Sequence, residues 1–297
     1  MDERPALLLS IDLEDWHQLV HRRLGRVDWD RPYPAFRPQV QALLELLDEL
    51  EAHATFFLLG MTVANYPDLV REIVARGHEP ASHGYAHVRV HEQTENEFRA
   101  DVERSVEAIE STTGRRPVAY RAPAFSINRR TPWAYDVLAE LGFRCDSSQY
   151  DSPRVAERIG GIPHAPYRLR LGDAAEIWEF PVATWGPLPI GGGSYWRVLP
   201  APLIRRGLED FQVLYFHPYE FAPEPLRATL PASPTFRQRA IAAGRGAWRN
   251  TGRGLVAKRL REVARSYRLV SYDQAYDDVA RRYGTCTRAL SQEGVLV

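Results

Sequence analysis

The 297-residue chain carries 38 basic and 38 acidic side chains, so its formal net charge at neutral pH is zero. A hydrophobic fraction of 44% and a charged fraction of 26% are typical of a globular chain and exclude disorder for most of its length. The balanced charge also argues against a nucleic-acid binder or a protein of anionic membrane surfaces, because both usually carry a basic excess.

The predicted elements alternate between short apolar strands and amphipathic helices, which indicates an α/β architecture. In chain order, strands are predicted at Ala6–Ile11, Ala54–Leu59, His78–Ser82, Val118–Tyr120, Phe143–Asp146, Trp178–Pro181 and Val213–Phe216. Between the first five strands, helices are predicted at Val40–Leu50, Pro67–Ala75, Glu95–Thr113 and Pro132–Leu141. Beyond residue 217 a proline-rich stretch is followed by a helix at 255–265, a strand in RLVSY and a short helix at Asp273–Arg282.

Cellular location is predicted from what the sequence does not contain. No segment approaches the roughly 20 apolar residues that span a bilayer, and the apolar run at Ala6–Ile11 is too short for a signal-peptide core. The only two cysteines, Cys145 and Cys286, form no CxxC pattern, so a disulfide framework is not expected. We therefore expect a cytoplasmic protein without an integral membrane segment.

Two histidines four residues apart, His83 and His87, lie just after a predicted strand in SHGYAH. Two neutral imidazoles and one carboxylate make the open tripod of a catalytic metal site. The HxxxH spacing alone also arises by chance, but α/β enzymes place their sites in turns that follow strands. The segment therefore predicts metal binding.

An acidic cluster, Asp12-Leu13-Glu14-Asp15, directly follows the first predicted strand. Carboxylates so close together are costly unless a positive charge lies among them, although a solvated loop would tolerate them. A metal bound by one carboxylate, with another left free as a base, accounts for the cluster.

Three other predicted strands also end in polar groups. Arg121 in YRAPAF can hold a carboxylate bidentately and lower its pKa. Asp146 begins DSS, and His217 ends LYFH. Each residue alone is more often structural than catalytic. Their recurrence at strand ends, where α/β enzymes gather catalytic groups, predicts an active site.

The ordered set SIDLED, SHGYAH, RAPAF, DSS and LYFH resembles the five motifs of the polysaccharide deacetylases, the NodB-homology or carbohydrate esterase family 4 enzymes. The resemblance runs from about Ala6 to Phe221. Segments such as GHEPASHGYAH and the GGGSYWR loop resemble more narrowly the subgroup linked to bacterial exopolysaccharide loci. No single motif is specific, but their combined order and spacing are.

The resemblance implies a distorted (β/α) barrel of seven or eight strands over residues 1–221. Residues 222–283 would form a C-terminal extension packed on this barrel, and residues 284–297 a loose tail. The implied activity is metal-dependent removal of N-acetyl groups from N-acetylhexosamine units of a polysaccharide or its precursor. The implied cofactor is one divalent metal, most often Zn²⁺, and the implied partner is an N-acetylated glycan.

The resemblance also implies the metal ligands. His83 and His87 match the family's HxxxH ligands. Common members supply the third ligand from adjacent aspartates, which this chain lacks. Glu14 matches relatives with an Asp-x-Asp arrangement, whereas Asp15 has the shorter side chain that suits a ligand close to the strand end. Both candidates stay open, with a slight preference for Asp15.

The catalytic roles follow from the same resemblance. Asp12 matches the general base, and Arg121 matches the arginine that orients it. His217 matches the general acid, and Asp146 the carboxylate that tunes this acid. A backbone N–H in the Ala122–Phe125 turn is expected to stabilise the oxyanion.

Substrate contacts are predicted from aromatic side chains. Trp185, Tyr195 and Trp196 lie in a glycine- and proline-rich loop with the aromatic character to stack on sugar rings and the flexibility to close over them. Plain loop packing would produce a similar pattern. Pro123 and Phe125, just after the arginine motif, are predicted to line the same cleft.

Two other functions remain possible on sequence grounds. A metal-free amidase of the same barrel type would have lost metal ligands, whereas this chain keeps both histidines and the carboxylates. A catalytically silent glycan-binding barrel would need neither the base nor the acid. The metal-dependent N-deacetylase therefore remains the first hypothesis.

Overall fold

A computed structural model describes residues 4–151, 157–171, 175–186, 188–291 and 295–297. The described residues form ten strands, and the α/β architecture predicted from the sequence is confirmed. The strands are β1 (Ala6–Leu13), β2 (Thr55–Leu58), β3 (Glu79–Ser82), β4 (Ala119–Tyr120), β5 (Cys145–Asp146), β6 (Tyr167–Leu171), β7 (Ala175–Glu179), β8 (Val213–Phe216), β9 (Arg268–Val270) and β10 (Thr287–Ala289).

Helices connect the strands and cover the sheet. They are α1 (Trp16–Arg23), α2 (Phe36–Glu49), α3 (Gly60–Asn65), α4 (Pro67–Ala75), α5 (Glu95–Thr113), α6 (Trp133–Glu140), α7 (Gly193–Trp196), α8 (Ala201–Arg206), α9 (Phe236–Asn250), α10 (Leu255–Ala264) and α11 (Tyr272–Tyr283). The longest, α5, has the bounds predicted from the sequence, because Thr94 and Glu97 form a capping box and Gly114 ends the helix at φ 70°.

The sheet is mostly parallel, with strand order β10-β6-β7-β5-β4-β3-β2-β1-β8 and β9 beside β1. Only β6 and β7 pair antiparallel among the described strands. Register aligns the last residues of neighbouring strands: Leu13 lies opposite Leu58, Leu58 opposite Ser82, and Ser82 opposite Tyr120. The residues that follow these strands therefore meet at one edge of the sheet, which is where parallel α/β folds hold their sites.

The two faces of β1 pack against different surroundings. Every residue of β1 is buried. Leu7, Leu9 and Ile11 pack against helical residues such as Leu43 of α2 and Leu260 of α10. Side chains two apart in a strand share a face, so Ser10 and Asp12 point to the opposite side from this helical layer.

Several elements were not predicted from the sequence. Helix α1 has too low a mean hydropathy to be recognised from an apolar face. It buries polar and aromatic side chains that are seldom found in a core, namely Trp16, His17, Gln18 and His21. The antiparallel strand β6 and the glycine-containing helix α9 were also missed. Tertiary contacts, rather than local propensity, stabilise these elements.

The C-terminal region shares the core of the rest of the chain. Strand β9 pairs parallel with β1, and Val256, Leu260 and Val263 of α10 belong to the same buried cluster as β1. The loose tail expected at 284–297 is wrong for its described residues. Strand β10 pairs with β6, and Leu296 is buried, because the apolar ends of this segment pack beside Gly160 and Ile162.

Candidate active site

Glu14, His83 and His87 converge at the carboxyl edge of the sheet. Oε1 of Glu14 lies 3.1 Å from Nε2 of His83 and 2.9 Å from Nε2 of His87. Burial alone would raise the pKa of Glu14, but the charge of His87 and hydrogen bonds from both histidines hold this pKa well below its usual range. The two histidines predicted from HxxxH are therefore brought together with one carboxylate.

The turn between the two histidines is fixed by a residue that sequence reasoning missed. Asp101 of α5 accepts hydrogen bonds from the backbone N–H groups of Tyr85 at 2.8 Å and Ala86 at 3.3 Å. Gly84 has φ +73°, and a Cβ there would lie 2.7 Å from Oδ2 of Asp101. Only glycine therefore fits both the backbone angle and the close approach of the carboxylate.

The donor set fits a divalent cation. Nδ1 of His83 donates to the carbonyl oxygen of Arg121 at 2.7 Å, which leaves its Nε2 as the free nitrogen facing Glu14. A lone pair on this nitrogen would repel the carboxylate oxygen unless the imidazole is protonated or a cation lies between them. Two imidazoles and one carboxylate are ligands that Zn²⁺ accepts, and the backbone hydrogen bond orients the ring as in known metal sites.

The preference for Asp15 as third ligand is corrected by the geometry. Asp15 caps helix α1, because its Oδ1 accepts a hydrogen bond from the backbone N–H of His17 at 2.9 Å. Its Oδ2 accepts from the hydroxyl of Tyr66 at 3.3 Å. Both oxygens are thus engaged away from the histidines, and Glu14 is the carboxylate that joins them among the described residues.

Asp12 and Arg121 form a buried ion pair beside this cluster. Nη1 of Arg121 donates to Oδ1 of Asp12 at 2.7 Å. The remaining donors of the guanidinium reach Ser10, Ser147 and the hydroxyl of Tyr272, at distances of 2.9 to 3.0 Å. The arginine is therefore held at a single orientation and directs one oxygen of Asp12, as the sequence motif predicted.

His217 lies on the other side of Glu14, with its Nε2 3.7 Å from Oε2 of that residue. Its Nδ1 lies 3.4 Å from Oε2 of Glu220, which also accepts from the backbone N–H of His217 at 3.0 Å. Burial alone would lower the pKa of His217, but the hydrogen bond to Glu220 and the charge of Glu14 raise it. Sequence reasoning missed Glu220, although a one-turn helix at Pro218–Glu220 brings positions i and i+3 together.

Asp146 was expected from the sequence to tune the acid His217, but its carboxylate is engaged elsewhere. Its carboxylate accepts from the backbone N–H and the hydroxyl of Ser148 at 2.9 and 2.8 Å. Ser148 in turn accepts from the backbone N–H of Ala122 at 2.8 Å. Burial raises the pKa of Asp146, and burial together with the charge of Asp146 raises the pKa of Glu179 well above its usual range. Asp146 is therefore a positioning residue for the turn after Arg121.

A cavity of about 510 Å³ holds these groups. Asp12, Glu14, His87 and His217 line it, together with Phe125 from the arginine motif. This volume is within the usual range for a small-molecule site.

The predicted aromatic contacts divide into three groups. Tyr195 lines a second cavity of about 340 Å³, which shares Ser194 and Tyr215 with the first. Trp196 is wrong as a sugar contact, because it is fully buried and donates from Nε1 to the carbonyl of Ile190 at 2.6 Å. Trp185 is half-exposed, packs near Gly207 and lines neither cavity among the described residues.

Pro123 is buried at the start of a one-turn helix, and Gly84 lies beside it.

The glycine triplet Gly191–Gly193, expected to be flexible, is fixed beside β8. The backbone of Gly192 forms an isolated parallel β-bridge with Tyr215, and a Cβ on Gly193 would collide with the carboxylate of Glu220. The glycines therefore let the loop backbone approach the acid–carboxylate pair closely.

Two family models match parts of this chain. The family model described as polysaccharide deacetylase matches residues 29–145. This part of the chain is therefore similar to a polysaccharide deacetylase domain. A second model, described only as a domain of unknown function (DUF3473), matches residues 147–275. The acidic cluster at 12–15 and His217 lie outside the deacetylase match, so the structure is what joins them to the HxxxH segment.

Curated proteins similar to this part of the chain are named as deacetylases and come from bacteria and fungi. A peptidoglycan deacetylase from Helicobacter pylori is 28% identical over 135 residues, which cover 46% of this chain and 42% of that protein. A chitooligosaccharide deacetylase from a Bradyrhizobium strain is 37% identical over 111 residues, covering 37% of this chain and 47% of that protein. The chain thus spans less than half the length of each of these relatives.

Solved structures show the same fold over nearly the whole chain. A Mycobacterium smegmatis protein described as a polysaccharide deacetylase has a TM-score of 0.63 at 23% identity, covering 95% of this chain and 93% of that one. The peptidoglycan deacetylase PdaC from Bacillus subtilis has a TM-score of 0.52 at 15% identity, covering 94% and 93%. The fold therefore extends beyond the segment matched by the deacetylase model.

In the described ranges, none of the helices has the length and apolar character needed to cross a bilayer. The cytoplasmic location expected from the sequence stays a prediction.

Proposed function

We propose that the chain is a metal-dependent carbohydrate N-deacetylase that hydrolyses the acetamido group of N-acetylhexosamine units in a polysaccharide or its precursor. One observation carries the proposal: a His-His-carboxylate group, a buried Asp–Arg pair and a His–Glu pair each present at least one side chain to a single cavity, namely Glu14 and His87, Asp12, and His217. These are the parts that amide hydrolysis requires, namely an electrophilic centre, a base and an acid. The predicted link to exopolysaccharide loci stays a prediction.

Glu14, His83 and His87 would hold the metal, and Zn²⁺ suits this donor set. A divalent metal bound there lowers the pKa of water and polarises the acetyl carbonyl. Asp12 is the base that accepts a proton from the attacking water. Because Arg121 engages Oδ1 of Asp12, Oδ2 is the oxygen left for this proton.

His217 supplies the proton that the amine needs to leave. As the C–N bond breaks, the imidazole donates this proton to the amide nitrogen, and acetate is released. Glu220 fixes the imidazole through Nδ1, so Nε2 is the nitrogen that faces the cavity and the reacting group. The base thus activates the attacking water, and the acid protonates the leaving amine.

The turn at Ala122–Phe125 supplies a candidate oxyanion donor. The N–H of Ala122 is engaged by Ser148, and the N–H of Phe125 by the carbonyl of Ala122. Pro123 has no N–H, so Ala124 has the turn's remaining backbone donor within the described part of the chain. Ala124 lines the cavity and adopts a left-handed backbone at φ 54°, a strained conformation of the kind that proteins keep at functional sites.

Acetate release from N-acetylglucosamine oligomers tests the proposal, with bound zinc measured on the same samples. We expect His83→Ala to lose both zinc and release, and Asp12→Asn to keep zinc while losing release. His53→Ala, a histidine outside the cavity, is the matched control and keeps both. Release by metal-free protein would favour the metal-free amidase, and zinc binding without release from any N-acetylated glycan would favour the glycan-binding barrel.

A further inference from the structure

Five arginines line the cavity that holds the proposed catalytic groups: Arg22, Arg23, Arg89, Arg245 and Arg249. Two of them already have partners. Arg22 donates to the carbonyl of Ala86 at 2.9 Å and lies over the ring of Trp29. Arg89 pairs with Glu92 at 3.5 Å. The other three arginines form a separate cluster.

The three remaining arginines come from two helices that pack on each other. Arg23 ends α1, and Arg245 and Arg249 are four residues apart on α9, so they lie on one face of that helix. The two helices are joined where the side chain of Gln238 donates to the carbonyl of Leu24 at 2.6 Å. Apolar residues of α9 also pack against the cluster that contains Trp16 of α1. The packing of α9 on α1 therefore builds this wall of the cavity.

No carboxylate in the described ranges forms an ion pair with Arg23, Arg245 or Arg249. Nη1 of Arg249 donates to the hydroxyl of Ser194 at 3.3 Å. Burial lowers the pKa of Arg245, and the like charges of Arg23 and Arg249 lower it further. Arg249 differs. Burial alone would lower its pKa, but Tyr219 and the carboxylates of Glu220 and Glu14 raise it above its usual value. Among the arginines that line this cavity, Arg23 and Arg245 therefore have no carboxylate partner in the described part of the chain.

We propose that Arg23, Arg245 and Arg249 form a subsite for an anionic group, a carboxylate or a phosphate, on the acetylated glycan. Guanidinium groups bind both anions through paired hydrogen bonds, and the partial burial of Arg245 and Arg249 strengthens such contacts. An anion among three like charges removes the repulsion that the empty cluster carries. This inference rests on the proposed deacetylase function and names its substrate class as acidic glycans rather than neutral chitin-like chains.

The three arginines line the same cavity as the proposed catalytic groups, so an anionic group bound there would lie close to the reacting acetamido group. Arg249 is near enough to Glu14 and Glu220 for their charges to shift its pKa, and all three arginines line the same cavity as His217. The anionic group would thus belong to the same sugar or to its neighbour. An acidic polymer would carry a carboxylate at this position, and a nucleotide- or lipid-linked precursor would carry a phosphate.

The test compares three probes on zinc-loaded protein: an oligosaccharide of alternating N-acetylglucosamine and glucuronate, UDP-N-acetylglucosamine, and a neutral N-acetylglucosamine oligomer of the same length as the first. We expect a lower KM for at least one charged probe than for the neutral oligomer. Arg245→Gln should reduce this advantage by about tenfold or more, since it removes a charge-assisted hydrogen bond to the anionic group. Arg245→Lys should keep part of it.

Arg239→Gln is the matched control, because Arg239 is exposed on the same helix and does not line the cavity. This variant should keep the full advantage of the charged probe. A preference for the glucuronate oligomer assigns a carboxylate, and a preference for the nucleotide sugar assigns a phosphate. Equal KM values for charged and neutral probes, with no effect of Arg245→Gln, would overturn the subsite and leave the deacetylase standing.

Release of acetate from none of the probes would instead contradict the deacetylase. Calorimetric binding of the same probes then decides the subsite by itself. Weaker binding of the charged probe to Arg245→Gln than to Arg239→Gln supports the subsite, and equal binding overturns it.

Discussion

At the residue scale, successive side chains along a strand point to opposite faces, so the carboxylates of the acidic cluster at Asp12–Asp15 do not all point the same way. Asp12 and Glu14 are two residues apart, so they continue the inward face of β1, whereas Asp15 begins the cap of α1. This alternation was readable in the sequence and favoured Glu14. The side-chain length argument that favoured Asp15 lacked the information that a helix begins at Trp16.

Substitution of the two neighbouring carboxylates tests this assignment. Glu14→Gln should lower the affinity for zinc by about tenfold or more, because it removes a charged ligand. Asp15→Ala should keep zinc and instead lower the free energy of unfolding by about 1–2 kcal/mol, since it removes a helix cap. Metal titration and denaturant unfolding of both variants check this. Loss of zinc in Asp15→Ala with zinc retained in Glu14→Gln would contradict it.

The role of Glu220 makes a separate prediction about turnover. Glu220→Gln should lower kcat by about tenfold to a hundredfold with little change in KM, because it leaves the imidazole of His217 misoriented as an acid. Bound zinc should stay the same, since Glu220 is not in the candidate metal group. Steady-state kinetics and metal analysis measure both. A parallel rise in KM with kcat intact, or loss of zinc, would show that Glu220 has another role.

At the element scale, the sequence predicted the strands that carry the site but not the partners that position its side chains. Apolar runs and glycine stops located β1, β8, α4 and α5 closely. Helix α9 carries two glycines and no continuous apolar stripe, so its packing on α1 had no local signal. For the same reason the cavity arginines of α9 were missing from the sequence-based site.

Strand β3 is linked to helix α11 by a buried carboxyl group. Glu79 accepts hydrogen bonds from the hydroxyl of Thr55 at 2.6 Å and from the backbone N–H groups of Tyr272 and Asp273 at 3.0 and 3.1 Å. Burial, with a smaller contribution from the charge of Asp273, raises the pKa of Glu79 to about 7. Burial, with a contribution from the charge of Glu79, also raises the pKa of Cys145 well above its usual range.

This raised pKa gives stability a pH dependence of known sign. Between about pH 4.5 and 7 the folded chain keeps a proton on Glu79 that the unfolded chain loses, so the free energy of unfolding falls as pH rises. The full effect is about 3 kcal/mol for a shift of this size. Glu79→Gln keeps an acceptor and should remove this decline. Denaturant unfolding at pH 5 and pH 8 measures it, and an equal decline in both proteins would contradict the assignment.

At the scale of the whole molecule, the C-terminal region shares one core with the part of the chain that resembles polysaccharide deacetylases. Strand β9 pairs with β1, and Tyr272 of α11 donates its hydroxyl to Ser147 beside Arg121. The extension after residue 221 stays a prediction from the resemblance, and no pattern in the sequence indicated that these residues reach the candidate catalytic groups. Composition does not change sharply there, and contacts between distant segments leave no periodic signal in one sequence.

Two leucines of helix α10 test the shared core. Leu260 is fully buried in the cluster that contains β1, whereas Leu255 is 40% exposed on the same helix. Leu260→Ala should lower the free energy of unfolding by about 2–5 kcal/mol in one cooperative transition. Leu255→Ala should cost far less. Two separate transitions, with only the later one shifted by Leu260→Ala, would show that the C-terminal region folds independently.

The central claim is that metal held by Glu14, His83 and His87 is required for hydrolysis of N-acetylated glycans. The most direct measurement removes metal with a chelator and returns Zn²⁺ in steps while acetate release from an N-acetylated oligosaccharide is followed. We predict no release without metal and a rise that saturates at one Zn²⁺ per chain. Undiminished release from the metal-free protein would contradict the claim.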